Sequence, residues 1–291
     1  MDKKIGVSKR KLIQLLSALI YNANLKGFAN GKIYKGPLKG VCIPGLNCYS
    51  CPGAIAACPL GSLQSSLNSI GHKLPLYIIG IIMVFGILLG RAICAFLCPF
   101  GLIQELFYKI PSPKIKKSKQ TRRLSLLKYG ILLVFVILLP VYTLIQNGVA
   151  VPAFCKYICP AGTLEGGVPL VALNSRLRDM TGALFNWKIF ILSIVLLGSV
   201  FISRPFCRFL CPLGAIYSFF NPYAVFGVSV DEEKCTKCAA CTRSCKFDVH
   251  YINDRECIRC GECRKVCPSN AISYFSKIAE RHRKENQDEK I

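Results

Sequence analysis

Long uncharged apolar runs alternate along this chain with short basic stretches, and the runs lack the polar face that a water-exposed helix keeps. Leu74–Gly90, Tyr129–Ile145 and Ile189–Ser203 contain no charged residue. Each is bounded by Lys or Arg and extends past that boundary to the length that crosses a bilayer. A fourth run, Leu12–Leu25, is interrupted at its far end by Asn22, Asn24 and Lys26. Its basic start suits an anchor, a cleaved signal or an interfacial helix; no small-x-small cleavage site follows, which favours a retained anchor. The pattern predicts a mainly α fold with four membrane spans, about 11–29, 74–92, 124–146 and 183–203. A membrane domain then covers 1–223, a small α+β domain 227–276, and a charged tail 277–291.

Charge orients the spans. The N-terminus carries five basic residues and the loop 91–123 eight, whereas loops 29–73 and 147–185 carry four and three. The richer pair faces the cytoplasm, so the chain is expected in a cytoplasmic membrane as a multi-pass protein with both termini inside. Only Asp2, Glu105, Glu165 and Asp179 are acidic before position 204, and mean hydropathy is +0.41. Residues 227–276 are nearly balanced, with eight basic and seven acidic side chains, so the formal net charge of +23 gathers around the membrane part. There it meets anionic lipid and calls for no nucleic-acid partner.

The chemistry is written in eighteen cysteines. Residues 235–267 hold two C-x2-C-x2-C-x3-C runs offset by 22 residues. Three cysteines two residues apart wrap three corners of one iron–sulfur cubane, and the fourth reaches across to the other. Cys235, Cys238, Cys241 and Cys267 are thus expected to hold one [4Fe-4S] cluster, and Cys257, Cys260, Cys263 and Cys245 the second. Zinc would use four thiolates and leave the rest idle. Pro268 follows Cys267, but Lys246 stands where the first run would have proline, adding a cation near the second cluster.

Elsewhere Cys-Pro-x-Gly occurs four times, at Cys58, Cys98, Cys159 and Cys211, the last three with a cysteine four positions earlier. Offsets of 101 residues between the outer pair and 113 between the inner pair indicate an internal two-span duplication. In that arrangement Cys94, Cys98, Cys207 and Cys211 form an inner set for a third cluster, with each C-x3-C pair on one helical face. Outside, symmetry favours Cys51, Cys58, Cys155 and Cys159 around a candidate fourth cluster, leaving Cys42 and Cys48 unassigned. A self-contained loop site of Cys42, Cys48, Cys51 and Cys58, or a disulfide framework, are the alternatives.

At CAFLCPFG and CRFLCPLG, followed by the dicluster tail, the chain resembles the membrane polyferredoxins of the NapH and NosR type, which accompany periplasmic nitrate and nitrous oxide reduction. The resemblance covers about residues 74–267. It implies a membrane iron–sulfur protein passing electrons between a quinol pool or cytoplasmic donor and a partner redox protein. Carried over by position, its motif falls on Cys94, Cys98, Cys207 and Cys211 and on the eight ferredoxin cysteines. The outer motifs CYSCPGAIAACPLG and CKYICPAG depart from that family, and no flavin-binding extracytoplasmic domain is present.

Histidine limits the mechanism. His72, His250 and His282 are the only ones, none paired within a span and none in a CxxCH, so bis-histidine haem and covalently attached haem are excluded. Clusters strictly at the two faces of a core about 30 Å thick would be poorly coupled. Either the CPxG turns dip inward or a quinone or flavin bridges the gap. The leading function is therefore electron relay, with potentials tuned by burial and by Arg91, Arg204 and Arg208. A metal-handling accessory factor and an iron–sulfur redox sensor are the alternatives, separable by metal binding at the outer cysteines and by cluster loss tied to partner contact. No independent catalytic site is evident: Glu165 and Asp179 read as solvated loop carboxylates, Gly166-Gly167 lacks the context of a phosphate loop, and Trp187 reads as an interface anchor.

Overall fold

A computed structural model of the chain describes residues 5–69, 75–115 and 117–276. The predicted tail 277–291, position 74 at the edge of the second predicted span, His72 and His282 lie outside these residues. The described chain is mainly helical, with one two-stranded sheet.

Ile5–Tyr21 forms the first helix, which stops where the Tyr21 carbonyl accepts the Ile55 N–H instead of continuing the ladder. It is built inside out. Arg10, Gln14 and Ser17, spaced at helical periods, are buried against the protein, while Leu12, Leu16, Leu19 and Ile20 are exposed. The next apolar helix, Leu76–Leu89, ends at Gly90, whose φ of +53° suits glycine and where a Cβ would meet Asn221 Oδ1 at 2.7 Å. Lys119–Asn147 runs for 29 residues, widening to a π-type turn at Leu132–Leu138 just before Pro140, which has no N–H to give. Ala183–Phe201 is the last long helix.

Two of these, Lys119–Asn147 and Ala183–Phe201, are long and apolar enough to cross a membrane; Leu76–Leu89 is apolar but shorter. The two long helices bury little of themselves inside the protein. The core lies instead at the centre, among the short helices that follow each Cys-Pro. Pro99–Phe107 packs against the first helix and Ala183–Phe201, while Pro212–Phe220 packs against Leu76–Leu89 and the start of Lys119–Asn147. Phe100, Phe154, Phe206 and Tyr217 are wholly buried there.

The C-terminal module is closed by β1 (Phe226–Val230) and β2 (Ile272–Ser276), antiparallel with Val228 opposite Tyr274. It is tied to the helices by ion pairs with little exposure to water. Arg208 grips Asp248 through both oxygens at 2.5 and 2.6 Å, and Glu256 accepts from Arg91 at 2.5 Å and from Lys128. Asn221 joins the same seam, accepting from Arg91 N and donating to the carbonyls of Asp254 and Cys257.

Candidate metal centres

The four CPxG cysteines share one local geometry. Cys58, Cys98, Cys159 and Cys211 have extended backbones and stand just before a proline at the first position of a short helix. Proline disfavours the helical region for its predecessor but starts a helix well. The expectation that a C-x3-C pair lies on one helical face is therefore corrected: the chain breaks at the second cysteine, which caps the next helix. Its sulfur serves as the cap acceptor, taking the Gly162 N–H at Cys159 and the Gly214 N–H at Cys211, both at 3.3 Å. Glycine in the motif keeps the space beside sulfur open. A Cβ at Gly61 would lie 3.7 Å from Cys155 Sγ, and one at Gly162 3.5 Å from Cys48 Sγ.

The inner cysteines converge. Cys98 lies within electrostatic reach of Cys207 and Cys94, and Cys211 within reach of Cys207, Cys94 and Cys98; burial, then these neighbours, push both thiols up. All four are buried. Gln104, wholly buried, donates to Cys207 Sγ at 3.2 Å while its Oε1 accepts the Phe206 N–H. Cations surround the set. Arg204 donates to the Cys94 carbonyl and pairs with Glu105 at 2.8 Å, and Arg91 donates to the Cys207 carbonyl at 3.4 Å. Burial alone would raise the Glu105 carboxyl, but Arg204 and Arg10 outweigh it and hold it low. From the first helix, Arg10 donates to the Ala95 carbonyl at 3.1 Å and Gln14 to that of Cys98 at 2.7 Å.

In the C-terminal module, Cys245, Cys257, Cys260 and Cys263 line one cavity of about 130 Å³. Cys267 lies within reach of Cys238, and Cys235 and Cys241 pack on the small apolar group that contains Cys267. The two C-x2-C loops repeat a left-handed turn at Lys237 and Ala239, then at Arg259 and Gly261, the same offset of 22 residues that separates the motifs. Lys246 rests its ammonium over the Tyr108 ring, 5.1 Å from the centroid.

The outer cysteines sort differently from the symmetric expectation. Cys48, Cys58, Cys155 and Cys159 come together: Cys159 feels Cys155, Cys48 and Cys58, and Cys155 feels Cys58 and Cys48. Cys51 lies within reach of Cys48 but is not among the neighbours that act on Cys155 or Cys159. A turn closed by Cys51 N–H on the Cys48 carbonyl at 3.0 Å leaves its sulfur beside Asn22 Oδ1, at 3.5 Å, and near Lys39. Cys42 is buried in the same apolar core as Cys58 and Cys159, beside Ser62. Glu165, expected to be solvated, is instead half-buried with its carboxylate turned in from water. Its Oε2 accepts the Cys48 N–H at 2.7 Å, Oε1 has no partner among the described residues, and burial pushes the carboxyl up to about 7. Asp179 is exposed as expected. Trp187 is half exposed and donates to the Tyr157 carbonyl at 3.2 Å.

Inner and outer sets are close neighbours. A Cβ at Gly45 would stand 3.2 Å from Cys98 Cα, so the outer loop reaches the inner turn. Tyr217, wholly buried, donates to the Pro44 carbonyl at 2.9 Å and lies within reach of Cys58 on one side and of Cys94, Cys98 and Cys211 on the other. Along the first helix, Gln14, which holds the Cys98 carbonyl of the inner turn, and Tyr21, whose carbonyl holds Ile55 of the outer loop, are seven residues or about 11 Å of rise apart. On the other side, Cys94 and Ala95 pack in one apolar group with Phe247, Val249 and Ile258, touching Cys245, Cys257 and Cys260.

These arrangements fit cubanes. Among the described residues, no three thiol, imidazole or carboxylate groups converge at single-ion spacing, whereas a cubane is gripped at separate corners. Buried donors without partners, Arg91 Nε beside the inner set and Asn47 Nδ2 beside the outer, suit an anionic group. Gln104 and Tyr217, on short apolar helices, and Asn221, just past the end of one, carried no sequence signal.

Comparison with known proteins gives the same chemistry. A family model described as a 4Fe-4S binding domain matches residues 72–118, 129–168 and 185–226, each match carrying one CxxxCP pair, and a second model of the same description matches 250–273. The chain is similar to the uncharacterized protein MJ0750 of Methanocaldococcus jannaschii, 30% identical over 204 residues that cover 67% of this chain and 76% of the relative. It is also similar to YccM of Escherichia coli, named for electron transport, at 23% identity over 60% of this chain and 46% of YccM. The methylamine utilization ferredoxin-type protein MauN of Paracoccus denitrificans is 25% identical over 54% of this chain and 48% of its own length. No solved structure matches the chain.

Proposed function

Since the chain belongs to the polyferredoxin-type proteins built from 4Fe-4S binding domains, we propose that it is a membrane-bound relay, passing single electrons between a quinol pool or cytoplasmic donor and a partner redox protein. Each [4Fe-4S] centre, when bound, supplies a one-electron site. Two would be held by Cys235, Cys238, Cys241 and Cys267 and by Cys257, Cys260, Cys263 and Cys245. A third would sit in Cys94, Cys98, Cys207 and Cys211, and a fourth in Cys48, Cys58, Cys155 and Cys159.

The observation that carries this reading is the unbroken succession of sulfur sets through the buried interior. Cys94 shares an apolar group with Cys245, Cys257 and Cys260, and Tyr217 lies between the inner cysteines and Cys58. An axial step of about 11 Å is far less than a bilayer core of about 30 Å, which supports inward-dipping CPxG turns over a bridging quinone or flavin. The residues of the chain do the rest. Phe100, Phe206 and Tyr217 exclude water, Gln104 and the Gly162 and Gly214 N–H groups donate to sulfur, and Arg91 and Arg204 offset negative charge.

Membrane residence is supported by the two long apolar helices and by the first helix, whose polar stripe faces protein and whose leucines face out. Four crossings, both termini in the cytoplasm, agree with the basic loop 91–123 lying on the same side as the ferredoxin module, where Lys117 bonds the Thr242 carbonyl and Arg122 bonds that of Asp248. The test is an iron and acid-labile sulfide count on anaerobically purified protein, with EPR during reductive titration. Four centres are expected. Two would confine iron–sulfur chemistry to residues 235–267 and sink the relay, and Cys94→Ser with Cys207→Ser must remove one signal while sparing the ferredoxin pair.

A further inference from the structure

Exchange with another protein requires a centre near the surface, and of the eighteen cysteines Cys238 is the one that is exposed. Beside it lies a groove of about 1050 Å³ between the Lys119–Asn147 helix and the C-terminal module. Thr242 and Arg243 line one wall, and Arg243, donating to the Cys238 carbonyl at 2.7 Å, ties the Cys238 loop to it, with Lys117 on the Thr242 carbonyl.

The groove's charge is lopsided. Its three carboxylates are spent inward: Asp248 on Arg208, Asp254 on Arg122, and Glu256 on Arg91 and Lys128. Lys119, Arg123 and Arg255 line the same groove, are exposed, and have no carboxylate or hydrogen-bond partner among the described residues. The remaining field is positive and stands next to the most accessible thiolate set. The module's own acidic run, Asp231, Glu232 and Glu233, lies outside the groove.

We propose that this groove is the docking site for a redox partner protein that presents a cluster of carboxylates, the Lys119, Arg123 and Arg255 side chains drawing it against the Cys238 loop. This rests on the relay reading and names the chemistry of its partner. Charge complementarity of this kind acts mainly on encounter rate and orientation, and so is strongly dependent on salt.

The test uses the full-length, cluster-loaded protein in neutral detergent. Binding of a fluorescein-labelled oligoglutamate peptide is followed by anisotropy at low and high salt, and oxidation of the reduced protein by substoichiometric ferricyanide is compared with that by cationic tris(phenanthroline)cobalt(III). Either probe takes one electron, ferricyanide becoming ferrocyanide, with no proton moved. The variant Lys119→Glu/Arg123→Glu/Arg255→Glu should weaken peptide binding about tenfold or more at low salt and slow ferricyanide selectively. A control with the same change in charge, Lys26→Glu/Lys32→Glu/Lys35→Glu, should do neither. Unchanged peptide affinity in the groove variant overturns the proposal, as does an equal effect of the control, which would report only the overall charge. Loss of peptide binding in phosphatidylglycerol nanodiscs but not in phosphatidylcholine would mean that lipid headgroups cover the groove, and also overturns it. The EPR signals of each variant report separately on the relay reading, because neither triple substitution replaces a cysteine or a residue next to one in the chain.

Discussion

Removing the Gln104 side chain tests the inner site at a single bond. Its amide donates to Cys207 Sγ at 3.2 Å in a position closed to water, so no solvent molecule replaces it in Gln104→Leu. A hydrogen bond to a charged acceptor contributes about 1.5–3 kcal/mol. Reduction takes a four-thiolate [4Fe-4S] centre from about −2 to about −3, so the field on the donor grows by roughly half. The bond therefore favours the reduced form by about 0.8–1.5 kcal/mol, which at ~59 mV per 1.4 kcal/mol for one electron corresponds to about 30–65 mV. Without it, the inner centre should titrate lower by that amount while both ferredoxin centres stay in place, as read by EPR-monitored redox titration. Loss of the Oε1 acceptor also strands the Phe206 N–H, so iron content must be checked beside the potentials. An unmoved inner potential, or a shift in the ferredoxin signals instead, would refute the assignment of Cys207 to that centre.

Three further outcomes are expected. Cys48→Ser should abolish the outer signal, whereas Cys51→Ser should leave it; a count of EPR-active centres in the two variants decides, and the reverse result restores the symmetric set. As pH rises through about 7 the buried Glu165 carboxyl ionises beside Cys48, and the new negative charge disfavours an added electron. The outer potential should thus fall between roughly pH 6 and 8, by at most ~59 mV per unit, and lose that slope in Glu165→Gln. Asp248→Leu leaves the Arg208 guanidinium buried and unpaired at a cost of about 3–5 kcal/mol, whereas Asp248→Leu/Arg208→Met removes both charges and restores most of it. Limited proteolysis should release the C-terminal module quickly from the single variant and slowly from wild type and the double variant.

What could be read from the sequence was whatever short spacing fixes. The two C-x2-C-x2-C-x3-C runs define their own loops, and the inner pairs are recognisable because each CxxxCP turn is local. The proposed outer set was not legible, because Cys48 and Cys51 are told apart only by one backbone turn and by Glu165, which arrives from 117 residues away. Glu165 itself looked solvated for the same reason. The first helix was read as a weak span because Asn22 and Asn24 interrupt its end, yet those residues tie it to the loop holding Asn47 and Gly53. Arg91, Arg204 and Arg208 stood out as basic residues next to cysteines, but that they would be buried and matched to Glu256, Glu105 and Asp248 depends on distant contacts.

With sulfurs drawn from both halves of the chain, neither half would complete a membrane cluster site by itself. In the proposed assignment the inner site would take two sulfurs from Cys94 and Cys98 and two from Cys207 and Cys211, and the outer would take Cys48 and Cys58 with Cys155 and Cys159. On that assignment a nascent chain would carry bare, oxidisable thiols until its final helix is in place, and iron delivery would be a late step in biogenesis.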